Sequence, residues 1–478
     1  MIAVPIAASM TKEALKDMKE ASKSADVIEL RLDCIKDLGL EILLAKRIKP
    51  VIVTTRSKAE GGRSNISESR RIKLIEKAID LGAEFVDVEF SLGSEKIKRI
   101  ISIRGKTKVI VSYHNFKGTD EKEIIAKYEK IKRLKPNVIK IVSFANSIDD
   151  NAVMLRLLKT AKKEGKDLIA FCMGEKGEVS RILCNFFGSF LTFASLCKGK
   201  ESAPGQLDVK TLKGLYRVNE FRNGEVFGLV GNPVKQSKGI LIHNDAFKKL
   251  EMNKVYVNFL VEDLSSFVKS FRKLIKGFSV TIPFKREIIK LIDGVDLTAG
   301  KIGAVNTVIN ENGKLIGYNT DVKGAINVIE SKMKIKNKRV LMIGAGGVAR
   351  AIGYGVKGKG GRLIILNRTV SRAKSLGNEL KCEYGGLDKL NKIDKVDIIV
   401  NATSIGMVPK VNEMPLGKDK LRRIIKKGAL VFDSVYNPRK TKLLKEAEKL
   451  GCNTADGYDM FINQADEQFK LFTGRRLI

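Results

Sequence analysis

The stretch Arg339-Val-Leu-Met-Ile-Gly-Ala-Gly-Gly-Val-Ala-Arg350 predicts a buried strand that turns directly into a helix. Its glycines follow the Gly-x-Gly-x-x-Gly/Ala pattern, in which the backbone approaches a pyrophosphate at the helix N-terminus. A second apolar run, 362–366, ends in Asn367-Arg368-Thr369, where an NAD-binding protein would carry Asp or Glu for the ribose 2′-hydroxyl. Asn and Arg favour a 2′-phosphate instead, so the motif predicts a Rossmann-type domain that binds NADP(H).

The chain on the N-terminal side of this motif contains two further series of strand and helix patterns. Residues 1–208 hold eight short apolar runs, each beside an amphipathic helical pattern, and this alternation predicts a (β/α)8 barrel. A new series begins at Val226. We therefore predict an α/β protein with five segments: a barrel domain (1–208), a connector (209–225), an α/β substrate domain (226–330), an NADP-binding Rossmann domain (331–455) and a C-terminal helix that packs back on the substrate domain (456–478).

The composition is typical of a globular enzyme. With 478 residues the chain is too long for one ordinary core, and its 44% hydrophobic content includes no run of about 20 apolar residues, so we expect no membrane partner. Six cysteines without a Cys-x-x-Cys pair and only two histidines predict no metal site. Reduced thiols and a cytoplasmic location are the corresponding expectations.

The net charge of +35 raises the possibility of a nucleic-acid partner. The lysines are spread along amphipathic helical patterns such as 123–133, and they form neither a basic tail nor a stripe with aromatic residues. We therefore expect no nucleic acid and only small-molecule partners, whose anionic groups the excess charge would attract. The sequence makes no prediction of the oligomeric state.

One lysine in the predicted barrel has unusual surroundings. Lys140 lies within the apolar run Val138-Ile-Lys-Ile-Val142, where desolvation favours a neutral amine, and a neutral amine can form a Schiff base with a ketone. The alternative is a packed stem with a solvated head. His114 ends the preceding run and can transfer protons, while nearby arginines can bind a carboxylate, so the combination favours the Schiff base.

Six short motifs carry the polar residues of the barrel. They read Glu29-x-Arg31-x-Asp33, Arg56-x-x-x-Glu60-Gly-Gly, Ser112-Tyr-His114, Val138-Ile-Lys140, Ser180-Arg181 and Ser202-Ala-Pro-Gly-Gln206. Together they resemble type I 3-dehydroquinate dehydratase over about residues 1–208. The resemblance implies that Lys140 forms the imine with the substrate ketone, that His114 removes the C2 proton and protonates the departing hydroxyl, and that Glu60 orients His114. The implied substrate ligands are Glu29, Arg31, Arg56, Arg181, Ser202 and Gln206.

A second set of polar motifs precedes the glycine-rich turn. They read Gly231-Asn-Pro-Val-Lys-Gln-Ser237, Val280-Thr-Ile-Pro-Phe-Lys285, Gly303-Ala-Val-Asn-Thr307 and Gly317-Tyr-Asn-Thr-Asp321. Reduction of a ketone requires a hydride from the nicotinamide and a proton for the oxygen, and Lys285 with Asp321 could hold and deliver that proton. An exposed ion pair without a catalytic role is the alternative.

Three later motifs extend this set. They read Asn401-Ala-Thr-Ser-Ile-Gly406, Asp433-Ser-Val-Tyr-Asn-Pro438 and Met460-Phe-Ile-Asn-Gln-Ala465, and residues 226–478 together resemble shikimate dehydrogenase. The resemblance implies that Lys285 and Asp321 are the catalytic pair. The implied substrate ligands are Ser237, Thr281, Asn306, Tyr436 and Gln464. The implied cofactor ligands are Gly344, Ala345, Gly346, Gly347, Val348, Ala349, Asn367, Arg368, Thr369, Thr403 and Gly457.

One position departs from this family. The family usually reads His-Ser-x-Ser-Pro where this chain has Gln236-Ser-Lys-Gly-Ile240, so the second serine, a ligand of the substrate carboxylate, is Gly239 here. Ser237 with a backbone N–H, or Lys238, could take over the contact.

The two resemblances name consecutive reactions, and this agreement supports both. We predict a bifunctional enzyme of the shikimate pathway that dehydrates 3-dehydroquinate to 3-dehydroshikimate and reduces this product with NADPH to shikimate. The first alternative is a catabolic enzyme that acts on quinate or shikimate in the reverse direction. The others are an active barrel with a dehydrogenase impaired at Gly239, and a basic nucleic-acid-binding protein that retains metabolic folds.

Overall fold

The computed structural model describes residues 1–63, 65–220 and 224–477. The chain divides into two compact units, Met1–Gly228 with Pro233–Ile275, and Leu229–Asn232 with Lys276–Ile478. Part of the predicted connector, residues 221–223, lies outside the described residues, as do residues 64 and 478. Within the described ranges, no helix is both long and apolar enough to cross a bilayer.

The first unit contains a parallel barrel in which strands and helices alternate. The strands are β1 (Ile2–Ile6), β2 (Val27–Arg31), β3 (Val51–Thr54), β4 (Phe85–Glu89), β5 (Lys108–Asn115), β6 (Val138–Phe144), β7 (Leu168–Met173) and β8 (Thr192–Phe193). The helices are α1 (Thr11–Ala21), α2 (Leu40–Ala45), α3 (Glu68–Asp80), α4 (Ser94–Ile103), α5 (Glu121–Lys132), α6 (Asp150–Lys163), α7 (Glu178–Leu183) and α8 (Val209–Gly214). The eight strands are adjacent in the order β7-β6-β5-β4-β3-β2-β1-β8. Just before β8, the Phe190 N–H donates to the Leu168 carbonyl of β7 at 2.8 Å, which brings the ends of the sheet together.

In β2, β4, β5 and β6, an apolar inward-facing residue is followed by a polar one. The apolar layer forms one buried cluster that includes Val27, Phe85, Ile110 and Val138. Side chains of a strand alternate between its two faces, so the residues two positions further along also point inward. These are Glu29, Asp87, Ser112 and Lys140. The same periodicity that builds the core therefore places charged groups above it.

The first unit also contains a smaller α/β segment. Its elements are β9 (Glu225–Gly231), which crosses the boundary between the units, α9 (Gly239–Lys249), β10 (Lys254–Leu260) and α10 (Leu264–Phe271). The Asn244 side chain of α9 exchanges two hydrogen bonds with the Tyr256 backbone of β10, at 2.8 and 2.9 Å. Lys176 of the barrel forms an ion pair with Glu262 of this segment at 2.8 Å.

The second unit begins with a mixed sheet. Its elements are β11 (Gly277–Val280), β12 (Gly294–Val295), α11 (Leu297–Ile302), β13 (Thr307–Glu311), β14 (Lys314–Tyr318) and α12 (Asp321–Lys332). β13 pairs antiparallel with both β11 and β14, and β12 pairs parallel with β14. The β13–β14 turn contains Asn312 and Gly313 with φ of 54° and 96°, the conformation that Asn-Gly hairpins favour.

The rest of the second unit is a doubly wound nucleotide-binding sheet. Its elements are β15 (Arg339–Ile343), α13 (Gly347–Gly358), β16 (Arg362–Leu366), α14 (Val370–Leu380), β17 (Glu383–Gly385), β18 (Val396–Asn401), α15 (Lys418–Ile424), β19 (Ile425–Asp433), α16 (Lys442–Lys449), β20 (Asn453–Ala455) and α17 (Gly457–Thr473). The strands are all parallel in the order β17-β16-β15-β18-β19-β20. Counted from β15, this is the 3-2-1-4-5-6 order of dinucleotide-binding domains.

The C-terminal helix α17 lies against the mixed sheet and against α12. Gln468 donates to the Asn306 carbonyl at 3.2 Å, and Glu467 pairs with Lys323 of α12 at 3.0 Å. Met460, Phe469 and Phe472 lie on the apolar face of this amphipathic helix, and all three are buried.

The predicted fold class is confirmed: a barrel is followed by an α/β substrate domain and a Rossmann-type domain. The domain boundaries remain predictions. The sequence reading missed β12, β14, β17 and β20. Three of these have two or three residues, too few for a hydrophobic period to show. The hairpin partner β14 had a usable signal, the Asn312-Gly313 turn.

Two candidate active sites

All nine site residues predicted in the barrel line one cavity of about 200 Å³: Glu29, Arg31, Arg56, Glu60, His114, Lys140, Arg181, Ser202 and Gln206. They meet there because the carboxyl ends of parallel barrel strands converge on one mouth. Phe116 and Phe193 also line the cavity and were not predicted. In the sequence they do not differ from core residues.

Lys140 lies at the bottom of this cavity. The residue is only 4% exposed, and its Nζ lies 4.4 Å from the centroid of the Phe193 ring. The sequence predicted that burial would favour a neutral amine, but the structure adds two carboxylates, with Asp87 Oδ2 at 2.9 Å and Glu29 Oε1 at 3.7 Å from Nζ. These carboxylates stabilise positive charge at Nζ, whether on an ammonium or on an iminium. Asp87 is not among the predicted site residues, although its inward-facing position in β4 was a usable signal.

His114 and Glu60 form a hydrogen-bonded pair beside Lys140. His114 Nδ1 lies 2.8 Å from Glu60 Oε2, and Ser91 donates to the other oxygen, Oε1, at 2.7 Å. Burial raises the pKa of Glu60 to about 7, with Glu89 adding to the effect and Arg56 opposing it. Burial also holds the pKa of His114 well below its usual value, assisted by the positive charges of Arg56 and Lys140. A buried, neutral imidazole of this kind is suited to accept a proton.

Arg56 joins the acidic groups of the site. Its guanidinium lies 2.9 Å from Asp87, 3.4 Å from Glu89 and 3.9 Å from Glu60, and it donates to Ser112 at 2.9 Å. Burial lowers the pKa of the guanidinium, but the surrounding carboxylates outweigh it and the net shift is upward. For Asp87 burial acts in the opposite direction, and Arg56 and Lys140 together hold its pKa below the usual range. The site is therefore a network of mutually compensating charges.

Two other arginines of the cavity differ in their partners. Arg31 is held by Asp33 through two hydrogen bonds of 2.9 Å. Arg181 is 2% exposed, stacks on Phe171 at 4.6 Å and donates to the Pro204 carbonyl at 3.3 Å. Its Nε is buried without a hydrogen-bond partner, and in the described part of the chain no acidic side chain forms an ion pair with it. Burial accordingly lowers the pKa of Arg181 to about 10.

Ser202 and Gln206 close the rim of the cavity. The Gln206 Oε1 atom accepts hydrogen bonds from the Ser202 N–H at 2.8 Å and from its hydroxyl at 3.2 Å. The Gly174 N–H donates to the Pro204 carbonyl at 3.1 Å. This loop is therefore held by hydrogen bonds within itself and by one bond from the residue that follows β7.

Lys285 and Asp321 meet in the second unit. Lys285 Nζ lies 2.5 Å from Asp321 Oδ2, with 18% and 7% of the two side chains exposed. Asn306 donates to Asp321 Oδ1 at 2.9 Å, and the Val305 N–H donates to the Lys285 carbonyl at 2.7 Å. Asp321 is the first residue of α12, so free N–H groups of this helix also favour its negative charge.

Three further predicted residues lie in the same unit as this pair. Thr281 precedes Lys285 in the loop after β11, and its N–H donates to the Val230 carbonyl at 2.9 Å. Gln464 on α17 contacts the Thr320 hydroxyl at 3.4 Å. Tyr436 stacks on Phe461 of the same helix, with ring centroids 5.3 Å apart. Asn306 therefore contacts Asp321 directly. Gln464 is connected to Asn306 through the Thr320 hydroxyl.

Ser237 and Gly239 lie in the first unit, at the start of α9. The Gly239 N–H donates to Ser237 Oγ at 3.2 Å. A Cβ atom built on Gly239 would lie 3.4 Å from Ser237 Oγ and 3.8 Å from Tyr256 Oη, which are ordinary contacts. The fold therefore has room for a serine at this position, and the departure from the family is not imposed by packing.

The glycine-rich turn has the shape that a dinucleotide needs. Gly344 has a φ of 121°, and a Cβ there would lie 2.6 Å from the Ala402 carbonyl oxygen. Gly346 directly precedes α13, which begins at Gly347, and a Cβ built on Gly346 would meet none of the described atoms within 4 Å. The start of the helix therefore has open space beside Gly346, and the binding of a pyrophosphate by residues 344–349 stays a prediction.

The other predicted cofactor residues occupy neighbouring strand ends. In the register, Ile343 pairs with Leu366 and with Asn401, so Asn367 and Thr403 follow strands on either side of β15. The Thr403 hydroxyl is fixed by Asn401 Oδ1 at 2.7 Å. Arg368 and Thr369 are exposed just before α14. Gly457 begins α17, where a Cβ would lie 2.4 Å from the Ser434 carbonyl oxygen.

Three family models match the chain in succession. The model of type I 3-dehydroquinase matches residues 2–221. The model of the shikimate dehydrogenase substrate binding domain matches residues 229–308, and that of shikimate / quinate 5-dehydrogenase matches residues 327–444.

Individual proteins are similar over the whole chain or over its second half. A shikimate dehydrogenase (NADP(+)) of Methanocaldococcus jannaschii is 43% identical over 265 residues, 52% of this chain and 92% of that protein. The structure of a chorismate mutase/shikimate 5-dehydrogenase fusion protein from Clostridium acetobutylicum covers 53% of this chain and 93% of that one, with 29% identity and a TM-score of 0.50. The chloroplastic bifunctional 3-dehydroquinate dehydratase/shikimate dehydrogenase of Arabidopsis thaliana is 39% identical over 501 residues, 99% of this chain and 82% of the plant protein. This chain therefore belongs to the family of bifunctional 3-dehydroquinate dehydratase/shikimate dehydrogenases.

Proposed function

We propose that the chain dehydrates 3-dehydroquinate to 3-dehydroshikimate in the barrel and reduces 3-dehydroshikimate to shikimate with NADPH in its second half. The observation that carries the first activity is the convergence of Lys140, His114 and Glu60 on one cavity. The observation that carries the second is the Lys285–Asp321 ion pair, whose side chains are only 18% and 7% exposed. The same chain has an open glycine-rich turn for the cofactor.

In the barrel, Lys140 attacks the substrate ketone, and the carbonyl oxygen leaves as water when the imine forms. Asp87 and Glu29 stabilise the positive charge of the iminium. His114, held neutral by its buried position, takes the C2 proton, and the electron pair that is released is stabilised by the iminium. His114 then returns a proton to the hydroxyl that departs from C1. Hydrolysis of the imine releases 3-dehydroshikimate and restores the Lys140 amine.

Arg181 is the group best suited to the substrate carboxylate. It is a buried cation with a free Nε and no acidic ion-pair partner among the described residues. A buried charge without a partner is costly, and a bound carboxylate would compensate it. Arg31 and Arg56 are already held by acidic groups, so they position the substrate by hydrogen bonds rather than by net charge.

In the second half, the pair of Lys285 and Asp321 holds the proton for the substrate oxygen. NADPH supplies the hydride when it is bound. Residues 344–349 would hold its pyrophosphate, because the helix start is open there, and the exposed Arg368 would pair with the 2′-phosphate. Asn306 fixes the Asp321 carboxylate, and thereby keeps Lys285 in place.

The test follows both reactions in one solution of the purified full-length chain. 3-Dehydroquinate is added with NADPH, and the ultraviolet absorbance of the conjugated product and the loss of NADPH are recorded together. We expect dehydroshikimate to form first and NADPH to be consumed afterwards. Accumulation of dehydroshikimate with unchanged NADPH would contradict the second activity, and the absence of both changes would contradict the first.

A chemical trap tests the imine directly. Borohydride reduction in the presence of 3-dehydroquinate should attach the substrate carbon skeleton to Lys140, which peptide mass spectrometry can locate. Modification at another lysine would overturn the assignment of the nucleophile.

A further inference from the structure

We propose that Ser91 is a positioning residue of the dehydratase, which keeps Glu60 in the form that orients His114 as a base. The inference rests on the proposed dehydratase function and deepens it. Ser91 itself does not line the cavity. It acts on the opposite oxygen of the Glu60 carboxylate from the one that meets His114.

The fold places Ser91 in line with this pair. β3 and β4 are neighbours in the barrel, and each is followed by a short helical turn, Lys58–Glu60 and Phe90–Leu92. Ser91 Oγ lies 2.7 Å from Glu60 Oε1, and Glu60 Oε2 lies 2.8 Å from His114 Nδ1. The hydroxyl, the carboxylate and the imidazole therefore form a chain of two hydrogen bonds that ends at the reacting base.

Several charged groups act on Glu60, and they oppose each other. Asp87 and Glu89 on β4 disfavour its negative charge, as does burial, while Arg56 at 3.9 Å favours it. For His114 on β5, burial and the charges of Arg56, Lys140 and Arg31 lower the pKa, and the Asp87 carboxylate opposes them. The pKa of Glu60, about 7, already reflects the hydrogen bond from Ser91, which lowers it, so loss of this donor would shift Glu60 toward its protonated form.

The protonation state of Glu60 decides which nitrogen of His114 is the base. An ionised Glu60 accepts from Nδ1–H, which leaves Nε2 without a proton and able to take one from the substrate. A protonated Glu60 donates to Nδ1 instead, and Nε2 must then carry the proton. The Ser91 hydroxyl donates to the ionised form and so favours the active tautomer.

The test compares the pH dependence of the dehydratase in Ser91→Ala and in the wild type. We expect the acidic limb of the kcat profile to move upward by about one pH unit, which lowers kcat about tenfold on that limb. The alkaline plateau and KM should remain within about twofold of the wild type. Ser91→Thr keeps the hydroxyl and should restore the wild-type limb. Ser102→Ala is the matched control, because this serine lies on the following helix and bonds to the Arg99 carbonyl.

A second measurement does not depend on turnover. The chain has only two histidines, so nitrogen-15 labelling of histidine gives two sets of imidazole signals, which His243→Gln assigns. In Ser91→Ala the pH at which His114 changes tautomer should rise by the same amount as the kinetic limb. A uniform loss of kcat at every pH, or an unchanged tautomer midpoint, would overturn the proposal. A wild type without dehydratase activity would instead contradict the proposed function and leave the tautomer measurement interpretable by itself.

Discussion

The two candidate sites differ in the number and the burial of the charged groups around their proposed proton-transfer residues. In the barrel, the buried carboxylates of Asp87, Glu89 and Glu60 each lie within 4 Å of the Arg56 guanidinium. Burial, together with the surrounding charges, raises the pKa of Glu60 and lowers that of His114. In the second unit, a single lysine–aspartate pair is fixed by Asn306 and remains partly exposed.

This difference follows from the chemistry that each site supplies. In the barrel, the proposed nucleophile and base are both side chains of the chain, and burial adjusts their reactivity. In the dehydrogenase, NADPH supplies the hydride, so the protein has to bind NADPH and the substrate and to supply one proton. We therefore expect changes in the barrel to alter the pH dependence, and changes in the second site to remove single contacts.

The largest effect should come from Lys140→Met, which keeps an unbranched side chain of similar length but removes the amine. Dehydratase kcat should fall by at least about 10⁴-fold, because no other side chain can replace the nucleophile. Shikimate oxidation by the same protein should remain at the wild-type rate, which serves as the control for folding. Substantial residual dehydration would show that the barrel does not act through an imine.

The second effect tests the pair in the other half. Asp321→Asn should lower dehydrogenase kcat about a thousandfold, since the amide can neither hold Lys285 by charge nor relay a proton. Dehydration of 3-dehydroquinate should be unaffected. Lys323→Ala, on the exposed side of the same helix, is the matched control. If both variants lose activity equally, the pair is structural.

The third effect concerns the cofactor. Arg368→Ala should raise the KM for NADPH about 10- to 100-fold, the loss expected for one charged hydrogen-bonded contact, and should leave the KM for NADH nearly unchanged. Arg362→Ala is the control, because this arginine is exposed at the other end of β16. An equal loss with both cofactors would place the 2′-phosphate elsewhere.

The smallest effect should come from Gly239→Ser. A Cβ at this position makes only ordinary contacts beside Ser237. The serine hydroxyl would offer the substrate carboxylate one more hydrogen bond, so the KM for shikimate should fall about threefold to tenfold. Gly239→Ala adds the same Cβ without the hydroxyl and should not reproduce the gain. An increase of KM in both variants would mean that the open space at residue 239 is itself part of the site.

Much of the barrel site could be predicted from short motifs, because each motif ends a strand and parallel strands end at the same face. The apolar run around Lys140 indicated burial, and the structure has it. The partners of Lys140 could not be predicted in the same way. Asp87 becomes a partner only because β4, β5 and β6 are adjacent and bring inward-facing residues of different strands into one layer.

The dinucleotide motif could also be predicted from the sequence, since the positive φ that favours glycine at residue 344 is a local property of the backbone. The role proposed for Ser91 has no such local signal. A serine after a strand is common, and nothing near it in the sequence shows that its hydroxyl meets a carboxylate from the neighbouring loop.

The sequence by itself determined the fold class, because this depends on strand and helix periodicity. Its short motifs also carried the resemblance to two families that implied the two activities and the candidate reactive groups. Only the tertiary structure decided how the charges balance. The pKa values of Glu60 and His114, and the free Nε of Arg181, arise from burial and from residues far apart in the chain. Electrostatic interactions depend on distance and solvation in space, and neither is encoded in spacing along the sequence.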